Sequence, residues 1–206
     1  SEGSRNYIDS QCEEFTDLLT DFYEKYLRVT DSKDMNALES FRVSSSYALG
    51  FHEFIKHLPE HISHNKTLML KGQVTGPITL GMNILDADKK CSYFDEQLRD
   101  IIIKIVEMKA IWQVIKLRQF VLPCMIFLDE PSLLGFGKQD FITISREDVL
   151  GDINSVVRAI HDQGALAGVH CEENTDWSIL METDLDIPLF YRRSRGISPT
   201  EAGRVL

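Results

Sequence analysis

The sequence lacks the features that would place it quickly. There is no Cys-x-x-Cys pair among its four cysteines (Cys12, Cys91, Cys124, Cys171), so neither a zinc ribbon nor a redox dithiol is written into the spacing. No apolar run approaches the roughly 18–20 residues of a membrane span. No apolar h-region follows the first residues, Ser1-Glu-Gly-Ser-Arg-Asn, so no signal peptide is read there. The absence of an initiator Met points to processing, tag removal or missing upstream sequence. Basic residues are outnumbered, 22 Lys+Arg against 32 Asp+Glu, and a net charge of -10 disfavours nucleic acid, whose binding needs a basic surface. Internal repeats, low-complexity tracts and clear linkers are also missing.

What is there is ordinary for a globular chain. The 206 residues, 43% hydrophobic and 26% charged, suffice for one large domain or two small ones with a real core. Widely separated thiols are the usage of a reducing compartment, so the expected location is cytoplasmic, with no membrane partner. Cys124, next to an apolar run, reads as a small buried hydrophobe.

Helical periodicity is read over 7–29, 46–57 and, most clearly, 93–120, where Leu98, Ile101, Ile105, Met108, Trp112 and Ile115 mark one face behind a capping-box pattern Ser92-x-x-Asp95. Pro77 suits the first turn of a helix running to about 85. Ser145-x-x-Asp148 opens another helix that reaches His161, with Gly164 just past its end. A short helix is expected from Asn174 to Met181. Three apolar runs read as strands: 67–71 closed by Gly72, 125–128, and 165–169. The segment at 185–187 opens one more. Alternating strands and helices argue for an α/β fold with a parallel sheet. The expected organisation is one α/β domain over 1–187 and a basic tail over 188–206, where Arg192, Arg193, Arg195 and Arg204 face one acid, Glu201.

Each presumed strand ends in polar or Gly-rich sequence: Gly72-Gln-Val-Thr-Gly-Pro77, Asp129-Glu-Pro131 and His170-Cys-Glu-Glu-Asn174. In a parallel sheet these ends point the same way, and such ends are where α/β folds bind ligands. Asp129 and Glu130 read either as an acid/base or cation-orienting pair or as a solvated loop start with an N-cap. Gln73 and Thr75 either hydrogen-bond a ligand or belong to the turn at Gly76-Pro77. His170 is either a structural histidine or a metal or acid/base residue, and the neighbouring Cys171, Glu172 and Glu173 weigh toward the second. Asn174 and Asp176 either contact substrate or cap the helix that follows.

Lys71-Gly-Gln-Val-Thr-Gly-Pro-Ile-Thr79, Phe127-Leu-Asp-Glu-Pro131 and Gly168-Val-His-Cys-Glu-Glu-Asn-Thr-Asp-Trp177 occur in the order found in a known superfamily. The chain resembles the cobalamin-independent methionine synthase-like branch of the uroporphyrinogen decarboxylase/methionine synthase superfamily. That resemblance implies a TIM (β/α)8 barrel, incomplete in this chain because a closed barrel takes about 250 residues. It implies zinc-assisted methyl transfer from a folate-like or other donor to a small, homocysteine-like thiol, zinc holding the thiol as thiolate. By the same resemblance Asp129 and Glu130 are the catalytic acids, Gln73, Thr75, Asn174 and Asp176 bind substrate, and His170, Glu172 and Cys171 surround the metal. The family loop reads His-Cys-Cys-Gly-Asn-Thr, so Glu172 stands where a ligand cysteine is expected and Glu173 replaces the glycine. A carboxylate is a harder partner for zinc than a thiolate. Two other readings follow: a metal-free enzyme of the decarboxylase kind, and a degenerate, non-catalytic relative. A partial barrel exposes sheet edges, which points to a homo-oligomer.

Overall fold

The structure, a computed structural model, describes residues 6–62, 66–137, 144–171, 175–185, 190–193 and 196–199. The chain begins with helices. α1 (Phe15–Thr30) is followed by α2 (Met35–Leu38), where Asp34 caps the start by accepting from the backbone N–H groups of Asn36 and Ala37. A short 3-10 turn (Glu39–Phe41) leads to α3 (Leu49–His61). Then come β1 (Leu70–Thr75), α4 (Pro77–Asn83), α5 (Glu96–Arg118), β2 (Cys124–Asp129), α6 (Arg146–His161), β3 (Leu166–His170) and α7 (Trp177–Leu180). β4 (Phe190–Arg193) and β5 (Gly196–Pro199) close the described chain as an antiparallel hairpin. No helix among the described residues is long and apolar enough to cross a membrane.

Local chemistry accounts for most of these boundaries. Pro77 sits in the first turn of α4. The Ser145/Asp148 capping box forms in full at α6, and Gly164 takes a φ of +69° beyond its end. α5 differs from expectation at its start. Asp95 is the cap, accepting from the Leu98 N–H, while Ser92 is buried in a preceding 3-10 turn. α5 is also buried on more than one side. Val106, Ala110, Val114 and Leu117 join the sheet-side core, while Met108, Ile111 and Trp112 pack with Val29, Leu38 and Phe41 of the N-terminal helices.

β1, β2 and β3 form one parallel sheet in that spatial order. One face, Leu70, Val74, Ile126, Leu128 and Ala167, is buried in the core shared with α5 and α6. The opposite face carries Lys71, Gln73, Thr75, Phe127, Asp129, Gly168 and His170, all half-buried or exposed. Alternation of side chains along each strand produces this division.

The expected TIM barrel does not match the observed sheet. The described residues form a mixed helix/strand structure with a small, open, three-stranded parallel sheet, and no eight-stranded barrel is evident among them. Residues ahead of β1 are largely helical, and the strands that follow α7 pair with each other as a separate antiparallel sheet. The outer edge of β1 is covered by a side chain: Gln113 of α5 accepts from the Gln73 N–H (3.1 Å) and donates to the Gln73 carbonyl (2.7 Å). A strand closing the sheet on that side would need the same backbone groups.

The strand expected over 67–71 runs instead from Leu70 to Thr75, straight through the glycine expected to close it. Gly72 ends nothing. A Cβ there would lie 2.5 Å from the Gln113 Oε1 and 2.8 Å from the Ile126 Cδ1, so the missing side chain makes room for the residue that caps the edge. Within the tail over 188–206, residues 190–193 and 196–199 form the β4–β5 hairpin.

Candidate active site at the strand ends

Parallel pairing fixes the register of the three strand ends. Thr75 lies opposite Asp129, and Asp129 opposite His170, so the three stand in one row across the sheet. Backbone bonds past the ladder hold the row: the Gly76 N–H donates to the Asp129 carbonyl (2.9 Å) and the Glu130 N–H to the His170 carbonyl (2.8 Å). All three side chains emerge on the open face. The His170 Nδ1 is 3.4 Å from the Asp129 Oδ1, an ion-pair distance when the imidazole is protonated. The imidazole side chain is 61% exposed and the carboxylate 27%, so the histidine meets solvent while the acid lies partly beneath it.

The adjacent acid does something else. Glu130 is fully buried, and its carboxylate accepts from the N–H groups of Ile78 (3.0 Å) and Thr79 (2.8 Å) at the start of α4. A helix N-terminus offers free N–H groups and a favourable dipole to an anion. Burial nevertheless dominates and pushes the Glu130 carboxyl up to about 7, against the opposing hydrogen bonds from Thr79 and Ile78. The glycine of Gly76-Pro77 makes this contact possible, because a Cβ at position 76 would lie 2.2 Å from the Glu130 Oε1. The Asp129-Glu130 pair is therefore split, one acid on the open face and one locked against α4.

One row below, Gln73, Phe127 and Gly168 are register neighbours on the same face. The Phe127 ring spreads over Gly168, where a Cβ would meet ring carbons at 2.1 Å. Lys71 reaches up from β1 into this row. Its ammonium donates to the Gln73 Oε1 (2.9 Å) and lies 4.5 Å from the centre of the Phe127 ring. A cleft of about 340 Å³ flanks the β1 edge, with Phe51 and Phe54 of α3 on one wall and Lys71, Gln73 and Gln113 on the other.

The remaining expected site residues divide. Cys171 is buried, and its sulfur belongs to the hydrophobic core on the far side of the sheet from the His170 ring. Asp176 caps α7, accepting from the Ser178 N–H (3.0 Å), the structural alternative of its two readings. Glu172 and Asn174 lie outside the described residues. A zinc centre that activates a thiol takes three protein ligands and leaves a fourth position for substrate. No group of three or more His, Cys, Asp or Glu side chains able to hold a metal occurs among the described residues. Of the expected metal ligands, the described residues place only His170 on the open face.

Lys71 and Phe127 are the members of this face that sequence reasoning misses. Their signal is the alternation of Leu70, Gly72 and Val74 against Lys71, Gln73 and Thr75, which stays hidden as long as the strand is read to stop at Gly72. Comparison of the chain with family models, curated proteins and solved structures finds no match in any of the three.

Proposed function

We propose that the open face binds a small thiol and supports methyl transfer to it, with the Asp129–His170 pair as the proton-handling centre. The observation that carries this reading is the 3.4 Å approach of the Asp129 Oδ1 to the His170 Nδ1 at aligned strand ends. A carboxylate on one ring nitrogen fixes the imidazole tautomer and leaves the other nitrogen basic, the arrangement that suits a general base. The likeness of the three strand-end segments to the methionine synthase-like branch supports a thiol as acceptor and a methyl group as the unit transferred.

The step balances without further reagents. His170 takes the thiol proton, and the thiolate sulfur forms a bond to the donor's methyl carbon. The methyl–heteroatom bond breaks with its electron pair going to the donor, which then accepts the proton from His170. Thr75, beside Asp129 in the row, contributes a hydroxyl to the bound ligand. A thiol substrate and four widely spaced cysteines, Cys12, Cys91, Cys124 and Cys171, suit a reducing, cytoplasmic setting.

The test is the ultraviolet thiolate absorbance of 3-mercaptopropionate titrated against pH in the presence of excess protein. The expected result is an apparent thiol pKa lowered on binding, an effect lost in His170→Gln and weakened in Asp129→Asn. Superimposable titrations with and without wild-type protein would sink the reading.

A further inference from the structure

The ammonium of Lys71 is held in position by neutral groups. The Gln73 Oε1 accepts from it and the face of Phe127 lies beneath it, and no carboxylate is paired with it among the described residues. Lys25, Lys56, Lys104 and Lys116 differ, each making an ion pair with Asp21, Glu53, Asp100 or Glu39 respectively. Gly168 leaves the space that the Phe127 ring occupies, and the ring in turn supports the ammonium on the open face. The positive charge is thus oriented and left unneutralised.

Its place relative to the strand-end row sets a length. Lys71 reaches the Gln73–Phe127–Gly168 row, and Thr75–Asp129–His170 is the next row on the same face. Two residues of strand separate the rows, about 7 Å at the usual rise. A hydrogen bond at each end leaves room for a molecule only a few bonds long.

We infer that Lys71 anchors the carboxylate of the substrate, so that the open face selects a short thiol carrying an anionic group one strand row from its sulfur. This rests on the thiol reading of the same face. The Lys71 ammonium exchanges the Gln73 amide oxygen for a carboxylate, and the Phe127 ring excludes water beneath the ion pair. The sulfur then lies at the level of His170. Neutral thiols lose the charge-assisted bond, and longer acids overshoot one end or the other.

Calorimetric titration with three probes tests this: 3-mercaptopropionate, its neutral amide 3-mercaptopropionamide, and propionate, which lacks the sulfur. Wild-type protein is expected to bind the acid about tenfold more tightly than the amide, the size of one charge-assisted hydrogen bond at a partly exposed site. Lys71→Gln abolishes that preference and Lys71→Arg keeps most of it. His170→Gln keeps the acid-over-amide preference and loses the preference for 3-mercaptopropionate over propionate. An unchanged acid preference in Lys71→Gln overturns the anchor while leaving the thiol reading standing. Equal wild-type affinity for 3-mercaptopropionate and propionate, with the Lys71 effect intact, overturns the thiol reading instead. Absence of binding by any probe overturns both.

Discussion

The side-chain amide of Gln113 is bonded in both directions to the backbone of Gln73, forty residues earlier, accepting from its N–H and donating to its carbonyl. It supplies what a neighbouring strand would supply, from a helix. Gln113 is buried, and Gln113→Leu leaves two part-buried backbone groups at the cleft wall without their partners. The expected cost is about 1–3 kcal/mol, read as a lower urea midpoint at unchanged slope. Gln113→Glu keeps the acceptor and loses the donor, setting a carboxylate against the Gln73 carbonyl. That variant should be the less stable of the two at neutral pH and recover on acidification.

Glu130 predicts an unusual pH dependence. Its carboxyl is raised from 4.5 in the unfolded chain to about 7 in the fold, chiefly by burial. Between these values the folded state holds a proton that the unfolded state has released, so stability falls as pH rises through that window. The group's full contribution is present below about 4.5 and gone above about 7. The difference amounts to about 3–4 kcal/mol. Glu130→Gln removes the titration. Compared with wild type in parallel denaturation curves, the variant should gain by that amount between pH 4.5 and pH 8. A gap that does not move with pH would show that Glu130 is ionised throughout.

Gly76 and Glu130 should prove energetically coupled. Gly76→Ala drives a methyl group to within 2.2 Å of the Glu130 Oε1, and the carboxylate cannot swing away without releasing the Ile78 and Thr79 N–H groups. The expected loss is about 2–3 kcal/mol. Glu130→Ala alone leaves those donors bare, but it also opens the space that the added methyl group needs. The double variant should therefore lose less than the sum of the singles, by about 1 kcal/mol or more in a double-mutant cycle. Strict additivity would mean that position 76 is limited by something other than this carboxylate.

A second buried acid ties the two long helices together. Asp152 of α6 accepts from the Tyr93 hydroxyl (2.5 Å) and from both the Nε and an Nη of Arg99 on α5 (2.8 and 2.9 Å). The Tyr93 hydroxyl is held protonated far above its usual range, by burial first and by the adjacent Asp152 charge second. Asp152→Ala leaves the half-buried Arg99 guanidinium with Asp148 alone (3.1 Å) and the buried Tyr93 hydroxyl without its acceptor, and should cost about 2–3 kcal/mol. Asp152→Asn keeps the shape, loses the charge, and should fall between Ala and wild type. Both are checked by chemical denaturation at neutral pH.

How far the sequence can be read depends on how local each cause is. The Ser145/Asp148 capping box, Pro77 at the head of α4 and the apolar strand Cys124–Asp129 are set by residues within a few positions, and each is legible. So is the alignment of strand ends, since parallel strands leave no other direction for Thr75, Asp129 and His170. Gly72 misleads because a glycine beside a turn motif reads as punctuation, while its real neighbour, Gln113, lies on another element. Glu130 looks like the twin of Asp129 because nothing beside it reveals the Ile78 and Thr79 N–H groups that take it inward. Alternation along β2 does put the two acids on opposite faces, a consequence of strand geometry alone. Barrel closure is a different matter, because motifs at the strand ends say nothing about which strands pair at the sheet edges.

Gly168 offers a way to disturb the open face without touching a charged residue. The Phe127 ring occupies the space a Cβ would fill, at 2.1–2.3 Å from its ring carbons, so Gly168→Ala must tilt the ring off β3. Main-chain pairing between Phe127 and Gly168 does not depend on the ring, and the buried residues Ala167 and Leu128 lie on the other face. The sheet should survive with a loss of about 1–2 kcal/mol from crowding. The Lys71 ammonium, 4.5 Å from the ring centre, loses its support. Wild-type protein should show a ring-current shift at the Lys71 side-chain methylenes by NMR, and Gly168→Ala should diminish it while the Asp129 and His170 backbone signals stay near their original positions. A Lys71 shift identical in both proteins would mean that the ammonium is placed by Gln73 alone, with the Phe127 ring a bystander.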